Sequence, residues 1–350
     1  MDTIKYAGID LHQSTCVIAV HDRNGKTIMQ SIVETHAKTL HEFFSGLGGT
    51  IHVAFEVGTQ SAWLYEILRP IVSSATVCDV RGRKRRGNKN DRIDANKLAT
   101  WLRTGDLRSV YQGTRSNRKL RELAHGYLAT VSDSIRIMNR IKALYRSWSI
   151  PCAGRDVYYK RNREMWLSKF PIEESRIRAC AYYAQLDLLK EQRKELKKIL
   201  LKAARENPAQ KILCKIPGFG PIRSALAIAM IASPQRFRTR RQLWAYSGLA
   251  VVIHSSADHE IVEGRITRKT HKYSTRGLTL DYNRILKFVF KGAASEAIRK
   301  DPIKTIYQRM IAKGIRSEMA LLSIARKLAT IVLVLWKRGE QFKTAKLISE

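Results

Sequence analysis

Four acidic residues occupy positions where a carboxylate is costly. Asp10 ends the run Tyr-Ala-Gly-Ile-Asp, and Glu56 lies near the end of Ile-His-Val-Ala-Phe-Glu-Val, so each acid falls within or at the carboxyl end of a run typical of a buried strand. Asp91 and Asp94 are three residues apart, which places them on one face of a helix. Several carboxylates buried together need cations to neutralise them. Oxygen ligands alone favour Mg²⁺ or Mn²⁺, so the pattern predicts a divalent metal site.

Each of these acids also has an ordinary structural explanation. Asp10 or Glu56 alone is more often a helix cap or a turn residue, and Asp91 can merely cap its helix while Asp94 is exposed. Leu98 continues the stripe of Asp91 and Asp94 along the same helix face. An apolar residue on the same face indicates that Asp91 and Asp94 face the core.

The elements that must position these acids form an alternating pattern. Runs typical of strands and segments with helical spacing alternate along the first 80 residues. The strands are expected at 6–10, 15–20, 27–33, 51–57 and 76–80, and the helices at 38–47 and 61–71. This is an α/β layout, in which sites form at the carboxyl edge of the sheet. A helix is expected over 91–103, and no glycine-rich phosphate fingerprint follows a strand, which argues against a Rossmann or P-loop nucleotide site.

The rest of the chain predicts helices. Residues 117–205 are nearly free of Pro and Gly and have Leu, Ala and charged residues at helical spacing, which predicts long helices or a helical hairpin. Within them, residues 186–204 fit either a coiled-coil arm or one amphipathic helix. A further helical domain is expected over 210–350, with an irregular basic middle. We therefore predict three domains, at 1–110, 111–207 and 208–350.

The net charge points to a polyanionic partner. The chain carries a formal +34, with 5 Lys/Arg and 8 Asp/Glu in residues 1–80, so residues 81–350 carry +37. Nucleic acid is the commonest polyanion, and this imbalance argues against a generic metabolic enzyme. A basic cluster is expected to contact phosphate, although a solvated loop has the same composition. Its members are Arg83, Lys84, Arg85, Arg86 and Lys89.

Cysteine usage and hydropathy predict a cytoplasmic protein. The five cysteines are far apart and form no C-x-x-C, which argues against a disulfide scaffold or a Cys-rich zinc site. The first residues are polar, and no apolar segment of signal-peptide length follows them. The longest apolar run, around 328–336, is too short to span a bilayer, so no membrane partner is expected.

A glycine hairpin precedes an apolar helix in the C-terminal part. Ile-Pro-Gly-Phe-Gly-Pro-Ile contains Gly218 and Gly220 and leads directly into the apolar residues 225–231. Backbone N–H groups at such a turn suit a DNA phosphate, as in half of a helix-hairpin-helix element. An ordinary turn with good helix entry is the alternative.

These motifs carry two resemblances. Strand-borne Asp and Glu with a helical Asp-x-x-Asp resemble the RuvC-type resolvases, which have a ribonuclease-H-like fold, over roughly the first hundred residues. Over residues 4–335 the chain is similar to the insertion-sequence transposases of the IS110 type, which include the Piv-like DNA invertases. The shared motifs are Gly-Ile-Asp, Phe-Glu-Val-Gly-Thr, Asn-Asp-x-x-Asp-Ala, Ile-Pro-Gly-Phe-Gly and a Tyr-Ser-Gly-Leu segment before a serine.

The resemblance implies a fold and a set of catalytic acids. The expected fold class is an α/β RNase H/RuvC-like N-terminal domain, a helical, coiled-coil-like middle, and a mostly α C-terminal transposase domain with a helix-hairpin-helix-like element. The family's four metal-holding acids, the DEDD tetrad, match Asp10, Glu56, Asp91 and Asp94.

The resemblance also implies a catalytic serine, which matches Ser256. Ser255 remains an alternative, because Ala250-Val251 replaces Thr-Pro and Ala257 replaces a glycine of the family pattern. Basic residues after the serine are expected to hold the DNA backbone. They are Arg265, Arg268, Lys269, Lys272 and Arg276.

The implied activity is cutting and rejoining of DNA through a phosphoserine intermediate, with Mg²⁺ or Mn²⁺ at the acids. The family uses a structured noncoding guide RNA, so donor DNA, target DNA and that RNA are the expected partners. A homo-oligomer, a dimer or tetramer, is also expected, with the arm at 186–204 as a dimer element. Two alternatives remain: a metal-dependent RuvC-like nuclease or Holliday-junction resolvase that uses water, and a non-enzymatic nucleic-acid-binding descendant of a transposase, which should have lost a tetrad acid.

Overall fold

The chain divides into two compact units. The computed structural model describes residues 3–80, 90–254, 259–268 and 274–343, with only the backbone for a few residues next to the gaps. The first unit is Met1–Gln112 and the second is Gly113–Glu350. The division of residues 111–350 into two domains at position 207 stays a prediction.

The first unit has the predicted α/β layout. Five strands and three helices follow one another in the expected order of three strands, helix, strand, helix, strand, helix. They are β1 (Ile4–Leu11), β2 (Thr15–His21), β3 (Thr27–Glu34), α1 (Ala37–Gly46), β4 (Thr50–Glu56), α2 (Ser61–Leu68), β5 (Ser74–Cys78) and α3 (Asp91–Thr104).

The five strands form one mixed sheet in the order β3-β2-β1-β4-β5. β1 pairs in parallel with β4, and β4 pairs in parallel with β5, whereas β2 runs antiparallel to both of its neighbours. The carboxyl ends of β1, β4 and β5 therefore lie at the same edge of the sheet.

The two faces of this sheet carry side chains of different size. On one face, large residues such as Ile9 and Phe55 pack against Leu40 of α1 and Leu64 of α2. Side chains alternate between faces along a strand, so the intervening residues of β1 and β4 point to the other face. That face is covered by α3, which packs across β1, β2 and β4.

Small residues bring α3 onto the sheet. Gly8 pairs with Ala19 on β2 and with Ala54 on β4. A Cβ atom added to Gly8 would lie 2.1 Å from the Ala95 carbonyl oxygen and 2.5 Å from the Ala99 backbone nitrogen. The backbone of α3 therefore rests directly on the backbone of β1, which requires glycine at this position.

The second unit begins with a helical hairpin, as the spacing over 117–205 predicts. α4 (Arg115–Ser147) and α6 (Glu173–Arg205) have 33 residues each and pack along one another, and the short α5 (Arg163–Leu167) lies in the connection. Tyr145 stacks on Phe170 with ring centroids 4.5 Å apart inside the apolar core of the connection. Residues 186–204 are part of one continuous helix.

The remainder of the second unit is a helical core with small strands. Its helices are α7 (Ala209–Leu213), α8 (Pro221–Ile231), α9 (Arg240–Tyr246), α10 (Arg284–Ala297), α11 (Ile303–Ala312) and α12 (Ser317–Arg338). Its strands are β6 (Val251–His254), β7 (His259–Val262), β8 (Arg265–Arg268) and β9 (Ser274–Leu278), paired as β6–β9 and β7–β8. The expected irregular middle is therefore partly strand, because β-branched residues such as Val252, Ile261 and Ile266 favour paired extended chain.

Among the described residues, α12 is the helix whose length and composition would allow it to cross a membrane. Half of its most apolar window is buried in the second unit. Leu328, Ala329 and Val332 are fully buried in the same apolar cluster as α8 and α10. A core helix of a globular unit has this same composition, so α12 gives weak support for a membrane span.

Candidate functional site

Two of the predicted acids meet at the carboxyl edge of the sheet. Ile9 pairs with Phe55 across the parallel strands β1 and β4, so Asp10 and Glu56 follow at adjacent positions. Both are half-buried, and the alternation along each strand puts them on the face of Gly8 and therefore of α3. Neighbouring strands lie about 4.8 Å apart, so the backbones of Asp10 and Glu56 are neighbours.

The other two acids lie in the first turn of α3. Asn90 caps this helix, because its side-chain oxygen accepts a hydrogen bond of 3.0 Å from the Arg92 backbone N–H. Asp91 is thus not the cap, and both Asp91 and Asp94 lie where the helix macrodipole favours negative charge.

Burial differs between these two helical acids. The Asp94 side chain is 17% exposed, whereas that of Asp91 is 51% exposed. The expectation that both face the core is right for Asp94 and wrong for Asp91. The reason is that Asp91 is the first residue of the helix, and the buried stripe begins one turn later.

A histidine that the motifs did not single out joins the acids. Nε2 of His12 lies 3.3 Å from Oδ2 of Asp10 and 3.4 Å from Oδ2 of Asp91. Asp10, His12 and Asp91 each offer a ligand atom, and these atoms lie within 4.8 Å of one another. The sequence does hold a signal for His12: it follows Asp10 by two residues, the spacing that keeps side chains on one side of extended chain.

The electrostatics reflect this crowding of charge. Burial raises the pKa of the Asp10 carboxyl, the nearby His12 opposes that rise, and the carboxylates of Asp91 and Asp94 add to it. Lys97 places its Nζ 3.6 Å from Oδ1 of Asp94. Three acids from two separate segments therefore sense each other at one edge of the sheet.

A polar network holds the first turns of α3 in place. His21 is buried, and its Nε2 donates to Oδ1 of Asn96 over 2.9 Å. Thr27 donates to the same oxygen, and the Asn96 amide donates to the Arg92 carbonyl over 2.8 Å. The ends of β2 and β3 are therefore tied to the helix that carries the two acids.

The donor set fits a divalent cation. Half-buried carboxylates that lie close together repel each other, and a bound cation neutralises that repulsion. Their hard oxygen donors suit Mg²⁺ and Mn²⁺. The imidazole of His12 is an additional ligand that Mn²⁺ accepts more readily than Mg²⁺. In such a site without a cation, burial and neighbouring carboxylates raise the pKa of an acid, as they do for Asp10.

The glycines of the predicted hairpin have different surroundings. Gly218 has a φ of +78°, and a Cβ added to it would lie 2.1 Å from the Ala293 carbonyl oxygen of α10. Packing against α10 therefore explains this glycine. Gly220 is the N-cap residue of α8 and has open space beside it. Contact of either residue with nucleic acid stays a prediction.

The remaining predicted residues fall largely outside the described part of the chain. Arg265 is exposed on β8, and the backbones of Arg268 and Arg276 lie in β8 and β9. The residues outside the described ranges are Arg83, Lys84, Arg85, Arg86, Lys89, Ser255, Ser256, Lys269 and Lys272. Their predicted roles stay predictions.

Two transposase family profiles match separate segments of the chain. The profile of the DEDD transposases of the IS110 type matches residues 7–148, and the profile of the IS116/IS110/IS902 transposase family matches residues 210–305. The first range contains Asp10, Glu56, Asp91 and Asp94. The second contains the hairpin glycines and both candidate serines.

Individual relatives are distant. The chain is 28% identical over 153 residues to y4pF/y4sB of Sinorhizobium fredii, which is named as a transposase, and 25% identical over 172 residues to the IS116 insertion element 44.8 kDa protein of Streptomyces clavuligerus. These matches cover 44% and 49% of the chain but only 38% and 40% of those relatives. A match of 23% identity to the transposase of insertion sequence IS1111A of Coxiella burnetii covers 74% of the chain and 69% of that protein.

Proposed function

The chain belongs to the IS116/IS110/IS902 family of transposases, and we propose that it is the transposase of an insertion sequence, which cuts and rejoins DNA. The observation that carries this proposal is the cluster of Asp10, His12 and Asp91, whose ligand atoms lie within 4.8 Å of one another. Glu56 lies on the strand next to Asp10, and Asp94 lies in the first turn of α3 with Asp91. The charge of +37 on residues 81–350 supports a polyanionic substrate.

The four acids and His12 would hold a divalent cation, Mg²⁺ or Mn²⁺. When bound, such a cation polarises a phosphodiester and offsets the charge that develops on its oxygens. The protein supplies the geometry: α3 is fixed on β1 through Gly8, and the network around Asn96 fixes its first turns.

The nucleophile in this proposal is the hydroxyl of Ser256, with Ser255 as the alternative. The serine oxygen attacks phosphorus, its proton passes to a carboxylate or to water, and a phosphoserine ester forms while a deoxyribose hydroxyl leaves with a proton. The hydroxyl of a partner strand then attacks the phosphoserine and releases the serine. The energy of the phosphodiester bond is conserved in the phosphoserine link, so no nucleoside triphosphate is needed.

The proposal extends to the partners. A structured noncoding guide RNA would select donor and target DNA by base pairing, in accord with a large positive charge and the lack of a recognisable major-groove reading motif in the sequence. A dimer or tetramer is supported by exposed apolar residues on α6, where Ile177 and Leu188 are 62% and 60% exposed. A cytoplasmic location is part of this proposal and is in accord with DNA as substrate.

The test is a strand-exchange assay combined with capture of a covalent adduct on nicked DNA. Asp10→Asn, Asp91→Asn and Ser256→Ala should each abolish exchange, and EDTA should do the same, while nucleic-acid binding persists. The matched control is Asp133→Asn, which changes a half-exposed aspartate of α4 and should retain activity. Ser256→Ala should also eliminate the adduct.

Peptide mapping of the adduct separates the outcomes. A phosphate on Ser256 supports the proposal, and one on Ser255 moves the nucleophile by one residue. If the acids are essential and neither serine carries phosphate, the enzyme hydrolyses with water, as a metal-dependent RuvC-like nuclease or Holliday-junction resolvase does. Full activity in EDTA would refute the metal proposal.

A further inference from the structure

A cationic groove lies on the second unit between α9 and α12. Its volume is about 920 Å³, at the large end of the range for ligand pockets, which is roughly 300–1,000 Å³. Seven Lys and Arg side chains line it, and within the described part of the chain the lining includes no carboxylate. None of these seven is among the residues expected from the sequence to contact nucleic acid.

The groove face of α12 carries positive charge at its two ends and uncharged side chains between them. The opposite face of this helix, with Leu328 and Val332, is buried in the core. Arg326 and Lys327 lie at one end of the groove face, and Lys337 and Arg338 lie at the other. Each member of the second pair follows its counterpart in the first by eleven positions, which is about 16 Å at a rise of about 1.5 Å per residue. Successive phosphates of one strand in a duplex advance by about 3.4 Å, so this length accommodates several nucleotides.

The floor of the groove is apolar and firmly built. Trp244 of α9 lies half-buried in the lining together with Ile331 and Phe342. The Trp244 indole N–H donates to the Arg326 carbonyl over 3.1 Å, and Nε of Arg326 donates to the Leu249 carbonyl over 2.6 Å. These bonds fix the indole ring against α12 in one orientation.

Seven like charges in one concavity repel each other, which costs stability unless an anion is bound there. A duplex presents its phosphates and the edges of its base pairs, because the faces of its bases are stacked inside. A single strand also presents unpaired bases, and cations around an aromatic surface are the combination that binds single strands. We propose that the groove between α9 and α12 binds a single-stranded segment of nucleic acid, with phosphates at its cationic rim and a base against Trp244 or Phe342.

This site is distinct from the acids of the first unit and does not depend on strand exchange. The ligand chemistry, a phosphodiester backbone with unpaired bases, is shared by an unpaired RNA loop and by a separated DNA strand. Both sources are therefore compared in the test. Binding is measured in EDTA, so a failure of the catalytic proposal leaves the result unaffected.

The experiment measures fluorescence anisotropy of labelled oligothymidine and oligouridine of about 12 nucleotides, within the range of known single-strand sites. A duplex of the same length is measured in parallel. The groove variant is R240Q/K327Q/R338Q. The matched control is K304Q/R309Q/K313Q, which removes two charges from α11 and one from its C-cap residue, all outside the groove.

Each phosphate neutralised on a single strand contributes about 0.7 to the salt dependence of log affinity, so the groove variant should lose about 2 from that slope. Its affinity for a single strand should fall roughly tenfold at moderate salt, and the control should change far less. A larger loss for oligouridine than for oligothymidine identifies RNA as the source, and the reverse identifies DNA. Equal losses in the groove variant and the control overturn the proposal, as does an equal loss for duplex.

Photocrosslinking gives a second readout on the unmodified protein. A strand with 5-iodouracil should crosslink to Trp244 or Phe342, because this base reacts with aromatic side chains that it contacts. Crosslinks found only at other aromatic residues would refute the assignment of the floor. If a peptide or inorganic phosphate bound in the groove and a single strand did not displace it, the proposal would also be refuted.

Discussion

Replacing Gly8 with alanine should separate α3 from the sheet without touching a catalytic side chain. Gly8 lies in the middle of β1, two residues before Asp10 on the same face. The alanine Cβ would be placed 2.1 Å from the Ala95 carbonyl oxygen and 2.8 Å from the Leu98 Cβ. The obstacle is mainly helix backbone, which cannot rotate away as a side chain can.

The size of the effect follows from these distances. Non-bonded heavy atoms reach optimal contact at roughly 3.5 Å, so α3 must move outward by at least about 1 Å. Overpacking of this kind costs about 1–3 kcal/mol, or a fall in Tm of roughly 5–15 °C for a domain of this size. A shift of about 1 Å at a catalytic group costs about a hundredfold in rate, so exchange should fall by that factor even where the protein remains folded.

The assay pairs thermal unfolding with Mn²⁺ binding and strand exchange at a temperature well below the variant's Tm. G46A is the matched control, because Gly46 ends α1 with a negative φ and no heavy atom within 4 Å of an added Cβ. It should retain activity and metal binding. The reasoning fails if G8A binds Mn²⁺ and exchanges strands like the wild type, because α3 would then not need backbone contact with β1.

Three further predictions concern named side chains. The pKa of Asp10 is raised in the folded protein, so ionisation of this carboxyl lowers the free energy of unfolding as pH rises through that pKa. D10N should therefore raise the Tm of the metal-free protein near neutral pH, measured by thermal melts in EDTA. An unchanged or lower Tm would contradict this. Hydrogen bonds from Arg163 hold the pKa of Asp187 below its usual value. D187N should therefore lower the free energy of unfolding by about 2 kcal/mol at neutral pH, measured by urea unfolding. That difference should disappear as acid protonates Asp187 in the wild type. H12Q removes the proposed nitrogen ligand next to Asp10 and should weaken Mn²⁺ binding more than Mg²⁺ binding in calorimetry. An unchanged affinity for both ions would exclude His12 as a ligand.

Local patterns predict the elements of the first unit well. The helix expected over 91–103 is observed as Asp91–Thr104, because Asn90 is a strong N-cap residue and Gly105 adopts the left-handed conformation that ends a helix. The strands that carry Asp10 and Glu56 are short apolar runs bounded by turn residues. Signals of this kind lie within about ten residues of the position that they describe.

Features built from distant segments were not predictable in the same way. The groove between α9 and α12 joins Trp244 to Arg326 and Lys337, more than 80 residues away in the chain, and no local spacing marks that meeting. The small strands of the second unit were missed because basic and polar residues interrupt their alternation. His12 was missed because a lone histidine after a strand has many structural explanations.

The acidic site itself depends on residues that carry no chemistry. A layer of large side chains holds α1 and α2 away from the sheet, whereas Gly8, Ala19, Ala54 and Ala95 allow α3 to approach it closely. A carboxylate side chain is short, so acids on a helix reach an acid on a strand only when the two backbones are close. The Gly-Ile-Asp motif therefore encodes two requirements at once: the glycine sets the distance of the helix, and the aspartate, two residues on, uses that distance. A search for such sites in other chains should require the small residue at that spacing as well as the acids.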